Sequence, residues 1–245
     1  MNKDQSSPRA YRQRVRSGGW VSFSVRVEQT DLFLRAQEDL TSAAYDLAVE
    51  ARGQILSWAA KRPEFLSSLA PLPLDPAAPV VVRRMLEAGR VAGVGPMAAV
   101  AGAIAEHVGR GLLPLSPAGV IVENGGDLFL VSTQEVTVGL FAGDSPLSLK
   151  LGLRLLPEQT PLGVCTSSGT FGHSLSLGRA DAATVLAPDA ALADAAATAL
   201  GNRLKKAGDL KPALEWILSL EGIKGAAAVV DGRLGFLGDL ELVPL

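Results

Sequence analysis

Val120-Ile121-Val122-Glu123-Asn124-Gly125-Gly126-Asp127-Leu128-Phe129-Leu130 is the stretch whose reading decides the fold. Two apolar runs flank a turn of Asn, Gly and Asp, residue types that reach positive φ at little cost. The pattern is that of an antiparallel hairpin, and hairpins build sheets that turn one face to a core. Working outward, strands are expected at Glu135–Phe141, Leu149–Leu155 and Ala182–Leu186. Ala226–Val230 pairs with Arg233–Val243 across Asp231-Gly232. Near the start, Tyr11–Arg16 and Trp20–Glu28 read as a hairpin around Ser17-Gly18-Gly19, with Asp31–Ala36 extending the sheet.

Between these strands lie helices. Leu40–Lys61 is long and amphipathic, and Arg62-Pro63 ends it. Pro71–Pro79 is the clearest linker. Pro96 suits a first helical position and opens a helix of small residues that ends near Gly109–Gly111. Pro188-Asp189 opens an alanine-rich helix reaching about Lys206, and Pro212–Leu220 is a second, shorter one. Strands, two helices, then strands occupy each half of the chain. The fold class is therefore α+β, with antiparallel sheets and helices packed on one face, rather than a doubly wound parallel sheet. The chain reads as one unit, 1–245, with two candidate halves at about 8–132 and 133–245.

Lys and Arg number 23 against 25 Asp and Glu, a net charge of −2, which leaves no electrostatic footprint for nucleic acid. The single cysteine, Cys165, rules out an intramolecular disulfide and a cysteine-built metal site. The first residues are polar, and the longest apolar run, Val91–Ile104, is broken by Gly93, Gly95 and Pro96. The expectation is a cytoplasmic protein with neither a membrane nor a nucleic-acid partner. Helices rich in alanine and glycine also suit close packing between subunits in a homo-oligomer.

Three segments carry candidate chemistry. Asp194 and Thr198, four residues apart among alanines, share one helix face. Carboxylate and hydroxyl oxygens suit Mg2+, which takes few ligands from protein and leaves the rest to water or phosphate. The plain alternative is a solvated helix face, with Asp194 favouring the helix dipole. Asn124, Gly125, Gly126 and Asp127 form a turn whose amides can meet a ligand, or an ordinary hairpin turn. Thr166, Ser167, Ser168 and Gly169 precede His173 in a segment rich in hydroxyls and glycine. Such a loop can donate to phosphate; Cys165 or a serine with His173 can also be written as nucleophile and base. The alternatives are a buried core cysteine and a surface connection. Gly93-Val94-Gly95-Pro96 lacks the spacing of a dinucleotide fingerprint. Arg12, Arg14 and Arg16 share a strand face that suits phosphate or simply solvent, and His107 reads as structural.

Taken in order, these segments resemble the ApbE family of flavin transferases, over roughly Val91 to Asn202. Asn124-Gly125-Gly126-Asp127 is similar to that family's Asn-x-Gly-Gly-Asp turn without the intervening residue. Thr166-Ser167-Ser168-Gly169 is similar to its Thr-Ser-Gly loop with one serine added. The nearest likeness is Thr184–Asp189 followed by Ala193-Asp194-Ala195-Ala196-Ala197-Thr198, where the spacing of alanine, aspartate and threonine is kept. The resemblance implies a tunnelling-type fold of duplicated antiparallel sheets with helices on one side. It implies Asp194 and Thr198 as Mg2+ ligands, and the two loops as the seat of a flavin such as FAD or FMN. Three departures stand beside it. The family's Ala-Lys-Gly is here Gly95-Pro96-Met97-Ala98, without lysine. His173-Ser174-Leu175-Ser176-Leu177-Gly178 lacks the family's Asp-Pro, and the lipoprotein signal is absent. These imply a distant branch that keeps the scaffold and a small-molecule site, with His173, supported by Asp127 or Asp181, the candidate for activating an acceptor and no flavin transfer expected; the alternatives are a non-catalytic oligomeric module that retains the scaffold and a working FAD-dependent transferase.

Overall fold

The computed structural model describes residues 19–169 and 178–245. The arm Tyr11–Arg16, its three arginines and His173 lie outside the described residues. In chain order the elements begin with strands β1 (Val21–Val27) and β2 (Thr30–Ala36). Helices α1 (Thr41–Lys61), α2 (Glu64–Ser67) and α3 (Val80–Ala92) follow, then a 3-10 turn (Pro96–Ala99) leading into α4 (Val100–Leu112). Next come β3 (Gly119–Asn124), β4 (Asp127–Ser132), β5 (Val136–Gly139), β6 (Leu151–Leu155), β7 (Leu162–Ser167) and β8 (Ala182–Ala187). The chain closes with α5 (Ala190–Arg203), α6 (Leu210–Leu218), β9 (Gly225–Val230), β10 (Arg233–Gly238) and β11 (Glu241–Pro244).

Eight strands form one antiparallel sheet in the order β1-β2-β3-β4-β7-β8-β9-β10, and β11-β6-β5 form a second, three-stranded one. The order strand, strand, helices, strand, strand thus occurs twice. Its two occurrences merge where β4 pairs with β7, from Leu128↔Val164 to Leu130↔Leu162. Alternation along each strand sorts the core into two layers. Val120, Val122, Phe129, Cys165, Val185, Ala226 and Ala228 face the helices. Ile121, Leu128, Leu130, Leu162, Val164 and Leu186 face Val136, Val138, Leu153 and Leu155 of the small sheet. Among the described residues no single helix is long and apolar enough to cross a membrane.

One helix was not anticipated, and two expectations need correction. The stretch beyond the proline-rich linker is a helix, α3, whose Val81, Val82, Met85, Leu86, Ala88 and Ala92 are buried. Three valines and flanking arginines hid it: β-branched residues at a helix start look strand-like until packing decides. Cys165, Thr166 and Ser167 belong to a strand, β7, rather than to a loop, and Leu162–Val164 before them supply its apolar half. The long closing strand breaks at Gly238 (φ 95), and β11 crosses to pair with β6 from Glu241↔Arg154 to Pro244↔Leu151. A Cβ at Gly238 would lie 2.5 Å from the Lys224 carbonyl oxygen, so the bend needs glycine.

Candidate functional site

The site is assembled around the first turn of α4. Val100–Leu112 is helical because small and apolar residues recur every three to four positions, burying Gly102, Ala103, Ala105, Glu106, Val108 and Gly109. Like every helix it begins with amides that have no partner within it. Here the partner comes from another helix: Asp194 Oδ2 accepts Gly102 N–H at 2.9 Å, and the Ala101 amide also donates to this carboxylate. On the same peptide unit, Ala101 C=O accepts Asn124 Nδ2–H at 3.1 Å. One peptide group of α4 therefore ties the β3–β4 turn to α5.

α5 is an alanine helix because it is buried nearly all round. Ala190, Ala191, Ala193, Ala195, Ala196, Ala197 and Ala199 lie against α3, α4, β7 and β8. Larger side chains would push the layers apart; a Cβ on Gly163 would sit 2.5 Å from Ala190 Cα, and one on Gly102 2.1 Å from Ala190 C=O. Asp194 is thus not on an open helix face but half-buried where α4, α5 and the sheet meet. Ala190 lies beside Gly163 of β7 and Gly201 beside Gly178; Thr198 follows Asp194 by one turn of this helix.

Asp127 opens β4 on the helix-facing side and is buried. Its Oδ1 accepts Thr166 N–H at 3.3 Å. Burial, then the nearby Asp194 charge, push its carboxyl well above the ordinary range, and Glu123 adds to this. Burial also raises Asp194, to about 7, against the opposing pull of the two α4 amides. Among the described residues neither aspartate is ion-paired with an arginine or lysine. Two carboxylates in one buried spot without a cation favour holding a proton or a metal between them. The Asp127 and Asp194 carboxylates are oxygen donors of the kind Mg2+ takes, and Thr198 follows Asp194 by one turn; among the described residues no group of three or more His, Cys, Asp or Glu is placed to hold a metal.

Strand alternation separates the hydroxyl residues. Ser167 shares the helix-facing side with Cys165, and its Oγ is buried without a hydrogen-bond partner. Thr166 points the other way, its hydroxyl 2.9 Å from that of Thr184 on the face of the sheet away from the helices. Only the Thr166 backbone reaches the aspartates. Gly125 (φ 69) and Gly126 (φ 110) take the turn, whose Gly126 N–H donates to Glu123 Oε1 at 2.9 Å. Gly169 N–H donates to Ala180 C=O, which anchors the strand end beyond Ser167 and Ser168. Cys165 is buried, contacts Ala190 C=O at 3.4 Å, and has its thiol raised well above the usual range by burial, which leaves it a core residue rather than a nucleophile. His107 faces Glu50 of α1 at 3.7 Å, far along α4 from Gly102.

Two residues escaped the sequence reading. Gly102 is needed because only hydrogen fits between α4 and α5. Glu106, fully buried, accepts Ala190 N–H at 2.8 Å and pairs with Arg110 at 2.6 Å and Arg84 at 3.2 Å. A Glu among Ala and Val four residues after Gly102 was the available signal.

A family model described as AbpE bacteria matches residues 12–232. The chain belongs to this family. Archaeal relatives named UPF0280 protein share it: that of Methanocella arvoryzae is 40% identical over 215 residues, covering 88% of this chain and 87% of its own. That of Methanopyrus kandleri is 46% identical over 184 residues, 74% and 73% of the two chains. The flavinyl transferase ApbE of Pseudomonas stutzeri has the same fold, with a TM-score of 0.57 at 13% identity over 89% of this chain and 94% of that one. The flavin transferase ApbE of Vibrio cholerae also reaches 0.57, at 12% identity over 89% and 96%. The chain is thus a distant ApbE-like branch of α+β fold, and at such identity the solved structures speak for the fold alone.

Proposed function

We propose that this protein binds a phosphorylated, flavin-type small molecule, FAD or FMN, together with Mg2+. The site is the helix-facing end of β3, β4 and β7. The observation that carries this reading is the Asp127–Asp194 pair: both carboxyls are raised by burial, Asp127 further by the Asp194 charge, and neither is ion-paired with an arginine or lysine among the described residues. A divalent ion, when bound, would neutralise both and present its remaining coordination positions to phosphate oxygens.

The chain's own groups take the other parts. Asn124 and the α4 amides orient Asp194. The unpartnered Ser167 hydroxyl offers a donor to a ligand oxygen. Gly125 and Gly126 leave the turn backbone open to close approach. Binding without flavin transfer is the reading favoured by the altered segment after His173 and by the missing lysine at Gly95-Pro96-Met97.

Equilibrium dialysis against FAD and FMN, with and without Mg2+, tests the binding. Metal-dependent retention of either supports it. Retention of neither sinks it in favour of a scaffold without a ligand site. Incubation with FAD, Mg2+ and a family acceptor peptide is expected to leave the peptide unmodified; a His173-dependent adduct would make the protein a working transferase.

A further inference from the structure

The two contacts between α4 and α5 are mirror images. Gly102 N–H donates to a carboxylate of α5, and four residues later the carboxylate of Glu106 accepts Ala190 N–H, four residues before Asp194. Each helix thus supplies a carboxylate to amides in the first turn of the other. Residue 102 meets 194 and residue 106 meets 190, so the helices cross antiparallel with two rungs spaced one helical turn apart on each. A slip of one residue along either helix breaks both rungs at once.

Glu106 is an expensive way to begin α5. Its carboxylate is fully buried, and taking such a charge from water costs several kcal/mol even when paired. α5 already has a cap of its own: Asp189 Oδ1 accepts Leu192 N–H at 2.9 Å. An apolar residue at position 106 would pack against the same alanines without the desolvation. What the carboxylate adds is direction, because a hydrogen bond held between Arg84 and Arg110 fixes one register where alanine on alanine fixes none.

We infer that Glu106 is a positioning residue for Asp194: by fixing Ala190 it sets the depth and rotation at which the Asp194 carboxylate meets Gly102 and faces Asp127. This deepens the proposed ligand site and rests on it for its consequence in binding, but the geometric claim has a readout that needs no ligand. The Gly102 amide donates to Asp194, so its protection from hydrogen exchange is expected to report whether that carboxylate is in place.

The test uses the full chain and NMR-detected amide exchange, followed by dialysis with FMN and Mg2+. In Glu106→Ala, Gly102 protection is expected to fall at least tenfold relative to amides in the middle of α1. In Glu106→Gln, whose amide oxygen still accepts from Ala190, it is expected to recover to within threefold of the starting protein. Ile55→Ala, a core truncation in α1 away from the rungs, is the control and leaves relative Gly102 protection unchanged. FMN affinity, if the starting protein has any, follows the same order. Unchanged Gly102 protection in Glu106→Ala overturns the inference. So does an equal loss in the Ile55→Ala control, which would make the effect one of general stability. Should Glu106→Ala fail to fold, Arg110→Ala loosens the same carboxylate from its more exposed side, with about a threefold loss expected and no loss counting against the inference. A starting protein that binds no flavin would remove the proposed function while leaving the exchange result to decide the role of Glu106.

Discussion

Glu106 and Asp194 are both acidic side chains in the helix layer, and both accept backbone amides at a helix start. They differ in company. Glu106 lies between two arginines and is closed off from solvent. Asp194, one turn further along α5, is ion-paired with no arginine or lysine among the described residues, and its charge instead bears on a second carboxylate, Asp127. The same donor–acceptor geometry is complete at one rung and leaves a charge unanswered at the other. The first is the proposed register lock; the second is where the proposed cation and its ligand would sit.

The largest expected effect separates the two rungs in stability. Glu106→Ala breaks a buried paired charge and is expected to cost about 3–5 kcal/mol in urea unfolding. Asp194→Ala loses helix-start hydrogen bonds but relieves repulsion, for a net change within about 1 kcal/mol. Equal losses would erase the distinction. Ligand linkage comes next. At a flavin concentration about a hundredfold above Kd, the complex should gain about 2.7 kcal/mol. That gain is expected to vanish in Asp194→Ala and to persist in part in Thr198→Ala, as followed by thermal melts with Mg2+ and FMN.

The pH dependence sharpens the contrast. An unfolded aspartate titrates near pH 3.9, whereas folded Asp194 titrates at about 7 and Asp127 is also raised. Between these values the folded state holds more protons than the unfolded one, so metal-free stability is expected to fall as pH climbs from about 4 to 7. Asp127→Asn should flatten that fall and raise the melting temperature at pH 8 but not at pH 4. Mg2+ affinity should increase through the same window, since the ion competes with the shared proton. A metal-free protein whose stability rises over this range would contradict the paired-carboxylate reading. The smallest effects concern two adjacent hydroxyls. Ser167→Ala removes an unpartnered buried hydroxyl and should leave apo stability within about 0.5 kcal/mol while weakening ligand retention. Thr166→Val breaks the bond to Thr184, costs about 1 kcal/mol, and leaves retention unchanged because that side chain lies on the face of the sheet away from the aspartates.

Much of the scaffold was legible. The Val120–Leu130 hairpin, the Leu40–Lys61 helix and the alanine helix from Asp189 declare themselves by local periodicity and turn chemistry. The helix α3 and the strand β7 were not, because Val80-Val81-Val82 and Leu162–Ser167 carry mixed local preferences that tertiary packing resolves. Of the candidate site, Asn124 and Asp194 are joined through one peptide of α4, and Asp127 lies close enough to Asp194 to feel its charge. Thr166 joins them through its backbone only. His173 lies outside the described residues, so its part rests on the resemblance.

What the amino-acid order determined by itself is the set of elements and the chemistry available to them, since a turn, a cap or an alternating strand depends on neighbours a few residues away. It determined that Asp194 and Thr198 share one helix face and that Asn124 and Asp127 flank one turn. Only the tertiary structure decided that those two pieces meet, because Asn124 and Asp194 are joined through Ala101-Gly102, a peptide distant from both in the chain. It also decided which acidic residue is neutralised: Glu106 lies beside two arginines and Asp194 beside another aspartate, a matter of packing that no local pattern encodes. Desolvation then does the rest, since it is burial in company, and not residue type, that separates the two carboxylates: one lies between arginines, the other is raised beside a second aspartate.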